Sequence, residues 1–215
     1  MTSEPLLCQP LVQARGLSCR RGRDWLFRDL SFVVLPGQVV WLRGTNGSGK
    51  TTLLRTVCGL SQPDAGQLVW PTQESASVRP VYVGHLNALK DDLTASEALR
   101  FVARLQGVDV DANGVHLALR VLGMHHRRHA PVRTLSQGQR RRVALARLSL
   151  DTRPSLWVLD EPFEALDADG IATVQSLIRT HQACGGSVLL TSHLPLDAEQ
   201  TPFSDLTLDG GGGRL

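Results

Sequence analysis

The 215-residue sequence lacks the features that mark membrane-spanning, secreted or disulfide-rich proteins. It has no uninterrupted apolar run of about 18 residues, so no segment is predicted to cross a bilayer. The N-terminal stretch contains the acidic Glu4 and no long apolar core, which excludes a secretory signal. None of the cysteines pair in a C-x-x-C motif, so zinc and redox motifs are not predicted, and a reducing cytoplasm is favoured. The cysteines are Cys8, Cys19, Cys58 and Cys184.

A large excess of charge of one sign is also absent. The formal net charge is +3, which is too small to predict a nucleic-acid partner. Lysine is nearly absent, because Lys50 and Lys90 are the only two and arginine supplies the remaining positive charge. The composition is otherwise that of a globular protein, and the length suits one domain with a sizeable core. We therefore predict a single domain over residues 1–215 and no nucleic-acid binding.

A glycine-rich segment provides the first chemical motif. It matches G-x-x-x-x-G-K-[ST], the phosphate-binding P-loop, and comprises Gly44, Thr45, Asn46, Gly47, Ser48, Gly49, Lys50, Thr51 and Thr52. The glycines let successive backbone N–H groups turn toward phosphate oxygens, and the following helix directs its positive end at the same anion. Lys50 is predicted to bridge the β- and γ-phosphates, and the Thr51 hydroxyl to ligate Mg²⁺. The sequence therefore predicts binding of a nucleoside triphosphate.

The surrounding pattern predicts an α/β domain. A hairpin over 11–34 turns at 20–23, and predicted strands occupy 38–42, 67–70, 78–83, 156–159 and 187–191. Predicted helices occupy 51–60, 94–107, 113–122, 140–150 and 170–183, and the second of them begins with the capping box Thr94-x-x-Glu97. Residues from roughly 87 to 135 form a helical insertion. The glycines at 210–213 indicate a flexible tail.

Two carboxylates follow the apolar strand at 156–159. Asp160 stands at the carboxyl end of that strand, where ligands bind in parallel sheets, and is predicted to hold Mg²⁺ through water. Glu161 is predicted to polarise the attacking water, a role that typically contributes roughly 10²–10⁴-fold to a rate. Together with the P-loop, this pair predicts hydrolysis as well as binding.

Residues 135–139, L-S-Q-G-Q, allow two interpretations. Ser136 and Gln139 have the spacing of a capping box on the helix that follows. A serine hydroxyl, the Gly138 N–H and an exposed helix N-terminus also make an anion site.

The order of these motifs resembles that of the ATP-binding cassette ATPases. Their signature L-S-G-G-Q is similar to residues 135–139, with Gln137 replacing the first glycine, and Ala165-Leu166-Asp167 and Ser192-His193 follow in the family's order. The resemblance covers nearly the whole chain. It implies an α/β P-loop NTPase fold with a mostly parallel core sheet, an N-terminal antiparallel β-subdomain and a helical subdomain.

The resemblance also implies a mechanism. Two cassettes would pair head to tail as a homodimer and enclose two ATP molecules. Ser136 and Gly138, beside Gln139, would contact the γ-phosphate held by the partner subunit, and Asp167 would lie at the interface. His193 would contact the γ-phosphate and help to position Glu161, so that the catalytic residues would be Lys50, Glu161 and His193.

Two positions depart from the family pattern. His85 stands where the family has a glutamine that reaches Mg²⁺, and a histidine there can bond a water or the metal shell but titrates near neutral pH. Arg21 stands, by spacing, where an aromatic residue stacks on adenine, and its guanidinium plane can also stack on a base. We expect both residues to contact the nucleotide or its metal.

Within the family, Gly84-His85 and the segments at 135–148 and 159–167 resemble the haem-exporter ATPases of cytochrome c maturation. That resemblance implies ATP hydrolysis coupled to transport, with membrane-spanning partner subunits at the cytoplasmic face of the inner membrane. It further implies haem delivery, or release of a haem-loaded chaperone, on the far side. The alternatives are an exporter of another cargo and a soluble cassette ATPase that acts as a mechanochemical switch on a protein or nucleic acid.

Two basic clusters receive a simpler interpretation. The cluster of His125, His126 and His129 has no cysteine or carboxylate at ligand spacing, so a solvated basic loop is expected. The run 140–142, Arg-Arg-Arg, is expected to form one solvated helix face beside the phosphate site.

Overall fold

The computed structural model describes residues 9–70, 80–197, 199 and 201–208. The alternating segment near the N-terminus forms an antiparallel hairpin of β1 (Val12–Arg21) and β2 (Asp24–Val34), in which Val12 pairs with Val34. The strand β4 (Ala65–Val69) joins the other edge of β1, which gives a three-stranded sheet of order β2-β1-β4. The predicted N-terminal antiparallel sheet is confirmed.

A second sheet contains five parallel strands in the order β5-β6-β7-β3-β8. Its strands are β3 (Val39–Gly44), β5 (Val81–Val83), β6 (Leu156–Leu159), β7 (Ser187–Leu190) and β8 (Ser204–Leu208). Residues 78 and 79 of the strand predicted over 78–83 lie outside the described residues, as do the N-terminal Glu4 and the glycines at 210–213. The parallel core sheet is as predicted, and β8 is a strand that the sequence patterns did not assign.

Within the described residues, five α-helices complete the fold: α1 (Lys50–Val57), α2 (Ala95–Leu105), α3 (Ala112–Val121), α4 (Gln137–Leu145) and α5 (Ala168–Ala183). The predicted helix over 140–150 continues past α4 only as a 3₁₀ helix, Ala146–Leu150. Helix α1 is shorter than predicted because Gly59 adopts a left-handed φ of 70° that stops it. Among the described residues, no helix combines the length and the apolar character needed to cross a bilayer.

The parallel sheet separates two hydrophobic clusters. Alternate residues of β3, such as Val40 and Leu42, pack with the antiparallel sheet and α1. Their neighbours, Val39 and Trp41, pack with the cluster that includes helices α2 to α5. Because strand residues point alternately to opposite faces, both faces of the sheet are covered. This arrangement leaves the carboxyl ends of β3 and β6 at one edge, where α1 begins and where Asp160 follows β6.

Candidate nucleotide-binding and hydrolysis site

The glycine loop connects β3 to α1 in the order that the P-loop motif requires. Gly47 and Gly49 adopt left-handed φ values of 85° and 99°, and a Cβ at Gly49 would lie 2.8 Å from Leu26 Cβ. The backbone curls accordingly, with Gly49 at the N-terminus of α1. The Lys50 ammonium donates to the carbonyls of Gly44, at 2.8 Å, and Thr45, at 3.2 Å. The lysine thus folds over the loop whose N–H groups form an anion cradle.

The loop and the end of β6 meet at Asp160, whose side chain is buried. The Thr51 hydroxyl donates to Asp160 Oδ2 at 2.9 Å, and the Thr191 hydroxyl donates to Oδ1 at 3.0 Å. The sequence predicted that Thr51 and Asp160 hold the same Mg²⁺, but neither their direct hydrogen bond nor the contribution of Thr191. A hydroxyl and a carboxylate are hard oxygen ligands, and so they suit Mg²⁺.

Glu161 and His193 form the next part of the site. The His193 backbone N–H donates to Glu161 Oε2 at 3.0 Å, and His193 Nε2 lies 3.6 Å from Oε1. Glu161 has a left-handed φ of 49°, and its own N–H donates to the Thr191 hydroxyl at 2.9 Å. The same threonine therefore orients two consecutive carboxylate residues.

These groups border a cleft of about 650 Å³. The cleft is lined by Arg20, Arg21, Leu26, Asn46, Gly47, Gly49, Lys50, Thr51, Thr52, Arg55, His85, Asp160, Glu161, Glu164 and His193. Thus the structure brings most of the P-loop, the carboxylates and both departures from the family pattern to one cavity. Gly44, Thr45 and Ser48 belong to the loop but lie outside this lining.

One of the two departures, His85, has a partner that the sequence did not predict. His85 Nδ1 lies 2.9 Å from Glu164 Oε2, so a carboxylate accompanies the histidine. At the other end of the cleft, the guanidinium of Arg20 stacks on the Trp25 ring at 3.8 Å from its centroid. The neighbouring Arg21 lines the same cleft, and its contact with a nucleotide base stays a prediction.

The signature segment is built as a capping box on α4. Ser136 Oγ accepts from the Gln139 N–H at 3.2 Å, and Gln139 Oε1 accepts from the Ser136 N–H at 3.1 Å. A Cβ at Gly138 would lie 2.6 Å from the Ala165 carbonyl, so only glycine fits this approach. Ser136, Gly138 and Gln139 are not among the described residues that line this cleft.

Asp167 lies at the start of α5, where its carboxylate accepts from the Gly170 N–H at 2.9 Å. Arg142 forms an ion pair with the same carboxylate and also donates to the Leu122 carbonyl at 3.0 Å. The Gly170 hydrogen bond, assisted by Arg142, lowers the pKa of Asp167. Asp167 is also outside the cleft, together with the signature residues.

The predicted solvated face at 140–142 is wrong. Arg141 is only 3% exposed, and Arg142 reaches α5 through Asp167. Consecutive residues of a helix are separated by about 100° around its axis, so three of them cannot share one face. Arg140 keeps a partly exposed ion pair, at 3.2 Å from Asp91.

The histidine cluster lies away from the cleft. His125, His126 and His129 are exposed, and the rings of His125 and His126 are 5.4 Å apart. In the described parts of the chain, no three histidine, cysteine or carboxylate side chains converge on a metal position.

The parallel sheet, the glycine loop and the carboxylate pair define a P-loop nucleotide-binding protein. The family model described as ABC transporter matches residues 27–164, more than half of the chain. The chain therefore belongs to the ABC transporter family, and it is an ATP-binding ATPase of that family.

Curated relatives are similar over nearly the full length. The Cytochrome c biogenesis ATP-binding export protein CcmA of Nitrosomonas europaea is 46% identical over 202 residues, which cover 91% of this chain and 94% of the relative. The protein of the same name from Aromatoleum aromaticum is 47% identical over 201 residues, which cover 91% of this chain and 92% of that relative. That of Salmonella typhi is 43% identical over 211 residues, with 95% and 100% coverage.

Solved structures have the same architecture. The ATP-binding subunit of an ABC transporter has a TM-score of 0.82 and 26% identity, with 95% of this chain and 88% of that chain covered. A dimeric, post-hydrolysis ATP-binding cassette bound to ADP and Pi has a TM-score of 0.80 and 20% identity, with 95% and 97% coverage. The second likeness concerns the fold alone.

Proposed function

We propose that this chain is the ATP-hydrolysing subunit of a membrane export complex in cytochrome c biogenesis, with haem or a haem-loaded chaperone as the cargo delivered or released. The observation that carries the hydrolytic part is the chain of hydrogen bonds that connects Thr51, Asp160, Thr191, Glu161 and His193 at the cleft. The relatives named as CcmA, at 43–47% identity, support the cytochrome c part.

The proposed roles follow from the contacts. The glycine loop binds the phosphates through its N–H groups, and Lys50 leaves the carbonyls of Gly44 and Thr45 to neutralise the β- and γ-phosphates. Thr51 and Asp160 would hold Mg²⁺, and His85, which lines the same cleft, would assist them. When bound, Mg²⁺ neutralises charge that develops on the phosphate oxygens.

Glu161 is the proposed group that orients and polarises the attacking water. Its carboxylate already has one oxygen fixed by the His193 N–H, and the ring of His193 stands beside the other. Such fixation keeps the carboxylate in one orientation as water approaches, which is the condition for efficient general base catalysis.

The base end of the cleft is assigned to Arg20 and Arg21. The Arg20 guanidinium is braced on Trp25, so its plane is fixed before nucleotide arrives. A fixed guanidinium plane can stack on adenine with little loss of side-chain entropy.

A homodimer completes the proposed site. Ser136, Gly138 and Gln139 begin α4 but do not line the cleft of their own protomer, so they are free to contact the γ-phosphate of the partner subunit's ATP. Asp167 would lie between the two protomers. An interface in which each protomer gives the same residues to its partner is closed by a two-fold axis.

The membrane-spanning subunits are the proposed second partner, at the cytoplasmic face of the inner membrane. In this proposal the whole chain is one domain, and the helical part from about 87 to 135 is the inserted subdomain that contacts them. His85 and its partner Glu164 stand where this part joins the cleft. That position suits transmission of the nucleotide state to the membrane partner.

A pair of variants tests the hydrolytic dimer. Glu161→Gln keeps the hydrogen-bonding side chain and removes the base, so turnover should fall roughly 10²–10⁴-fold while ATP binding remains. ATP should then trap a dimer that is detectable by sedimentation. Adding Ser136→Arg to this variant should abolish the dimer without weakening ATP binding to the monomer.

Near wild-type turnover by Glu161→Gln would refute the assigned base, and an ATP-trapped dimer in the double variant would refute the shared site. The proposed complex is tested separately, by isolating the tagged chain from membranes. Recovery of multispanning subunits that bind haem would support the assignment, whereas purification without any membrane protein would favour a soluble ATPase.

A further inference from the structure

A single buried guanidinium lies behind the carboxylates of the site. Arg141 is only 3% exposed. Its Nη1 donates to the Gly84 carbonyl at 2.8 Å and to Asn87 Oδ1 at 3.2 Å. Its Nη2 donates to the carbonyls of Asp160, at 2.8 Å, and Glu161, at 2.7 Å. One side chain therefore joins the segment after β5 to the segment after β6.

The same residue belongs to α4, the helix that Ser136 caps. Arg141 follows that serine by five residues, so a displacement of the N-terminus of α4 moves the base of the arginine side chain. Three parts of the proposed machinery meet at this guanidinium: the helix begun by Ser136, the backbone next to His85, and the backbone of Glu161.

The electrostatic setting matches that position. Burial lowers the pKa of Arg141, and the nearby carboxylates of Glu164, Asp160 and Glu161 oppose the shift. A guanidinium nevertheless stays charged at neutral pH, because its ordinary pKa is far above 7. The cation thus stands among three negative groups of the cleft and holds two of them through their backbone carbonyls.

We propose that Arg141 is a positioning residue that couples the signature helix α4 to the hydrolytic carboxylate Glu161. The inference rests on the proposed roles of Ser136 and Glu161. When Ser136 engages the ATP of the partner subunit, α4 is fixed, and Arg141 transmits that fixation to the carbonyls of Asp160 and Glu161. The left-handed backbone of Glu161 is then held in the orientation that hydrolysis needs.

Arg147 provides a matched control, because it is a second buried arginine that follows on the same helical segment. It is 6% exposed and donates to the carbonyls of Ala144, at 2.7 Å, Tyr82, at 3.4 Å, and Asn87, at 3.2 Å. It makes none of the bonds to Asp160 or Glu161 that Arg141 makes. A loss that both arginines share is structural, and a loss confined to Arg141 belongs to the coupling.

The experiment compares Arg141→Lys with Arg147→Lys in the full chain. Lysine keeps the charge in each, but its single ammonium cannot bond two segments in the geometry of a guanidinium fork. Both variants should lower the thermal midpoint. Arg141→Lys should lower kcat for ATP hydrolysis roughly 10–100-fold, as loss of an outer-shell partner does, with KM changed by less than about twofold. Arg147→Lys should keep kcat within about threefold of wild type.

Equal loss of kcat in the two variants, or an unchanged kcat in Arg141→Lys, would overturn the coupling role. If Arg141→Lys does not fold, Asn87→Ala decides, because it removes one half-exposed acceptor of the same guanidinium. It should lower kcat without raising KM, and an unchanged kcat would overturn the proposal. Glu161→Gln is assayed in parallel: if it turns over normally, the proposed function itself fails, whereas an inactive Glu161→Gln beside a normal Arg141→Lys refutes the coupling alone.

Discussion

The substitution Thr191→Val tests whether one hydroxyl organises both carboxylates. Thr191 is fully buried, with 0% of its surface exposed. Its hydroxyl donates to Asp160 Oδ1 at 3.0 Å and accepts from the Glu161 N–H at 2.9 Å. Valine has the same shape but no hydroxyl, so a carboxylate oxygen and a backbone N–H lose their partner together. Asp160 keeps only the Thr51 hydroxyl on its other oxygen.

The expected loss of stability follows from these two bonds. A hydrogen bond to a charged acceptor contributes about 1.5–3 kcal/mol, and one between neutral groups about 0.5–1.5 kcal/mol. The free energy of unfolding should therefore fall by roughly 2–4 kcal/mol, a large part of the total for a domain. Thr191→Ser is the control, because it keeps the hydroxyl and deletes one methyl group, which costs about 1 kcal/mol.

Urea unfolding of the nucleotide-free chain measures the first effect, and steady-state ATP hydrolysis measures the second. Thr191→Val should lower kcat roughly 10–100-fold, because the proposed metal ligand and the proposed base both lose support, whereas Thr191→Ser should stay near wild type. A valine variant that unfolds within about 0.5 kcal/mol of wild type would contradict the two-bond reasoning. So would a serine variant that loses as much activity as the valine variant.

Two further predictions concern the base end of the cleft and the buried His181. Trp25→Ala removes the ring on which Arg20 stacks, so nucleotide affinity should fall about 3–30-fold in a fluorescence titration. Trp25→Phe should restore most of that affinity. Equal affinities for the wild type and both variants would remove Arg20 from the base site. Burial lowers the pKa of His181 from its ordinary value of 6.5, against the opposing effects of Ser155 and Asp151. The unfolded state therefore binds more protons below about pH 6.5, and the free energy of unfolding should fall as the pH drops from there. His181→Gln should flatten this part of the pH profile in urea unfolding, and an unaltered slope would assign it to other groups.

Local sequence patterns were sufficient to predict most of the fold. The apolar run at 156–159 indicates a buried strand, and the glycine loop indicates a P-loop. Both β6 and the P-loop occur where the sequence predicted them. The capping boxes at Thr94 and Ser136 are likewise present. Strand β8 was missed because only Leu206 and Leu208 of its five residues are buried, since it pairs with β3 alone at the edge of the sheet.

The site was predictable only where its residues are neighbours in sequence or belong to a recurrent motif. Asp160 follows β6, whereas Thr191 follows β7. Their side chains meet because these two strands are adjacent in the parallel sheet. No pattern near Thr191 indicates that adjacency. Similarly, Trp25 follows Arg20 across the hairpin turn, and their stacking depends on the Arg20–Trp25 pairing register of β1 and β2.

The three consecutive arginines at 140–142 show why a role in the site can be missed when a segment is interpreted from its composition alone. Three consecutive arginines resemble a solvated cluster, yet a helix directs them to three different surroundings. Arg140 meets Asp91 near solvent, Arg142 pairs with Asp167 at the start of α5, and Arg141 enters the interior between the ends of β5 and β6. Burial of a cation is unfavourable unless carbonyls and nearby carboxylates compensate it. Of the three arginines, Arg141 is therefore the one whose burial costs most, and the carbonyls that compensate it belong to Asp160 and Glu161 of the proposed hydrolytic site. We infer that its burial serves the positioning of these two residues rather than stability.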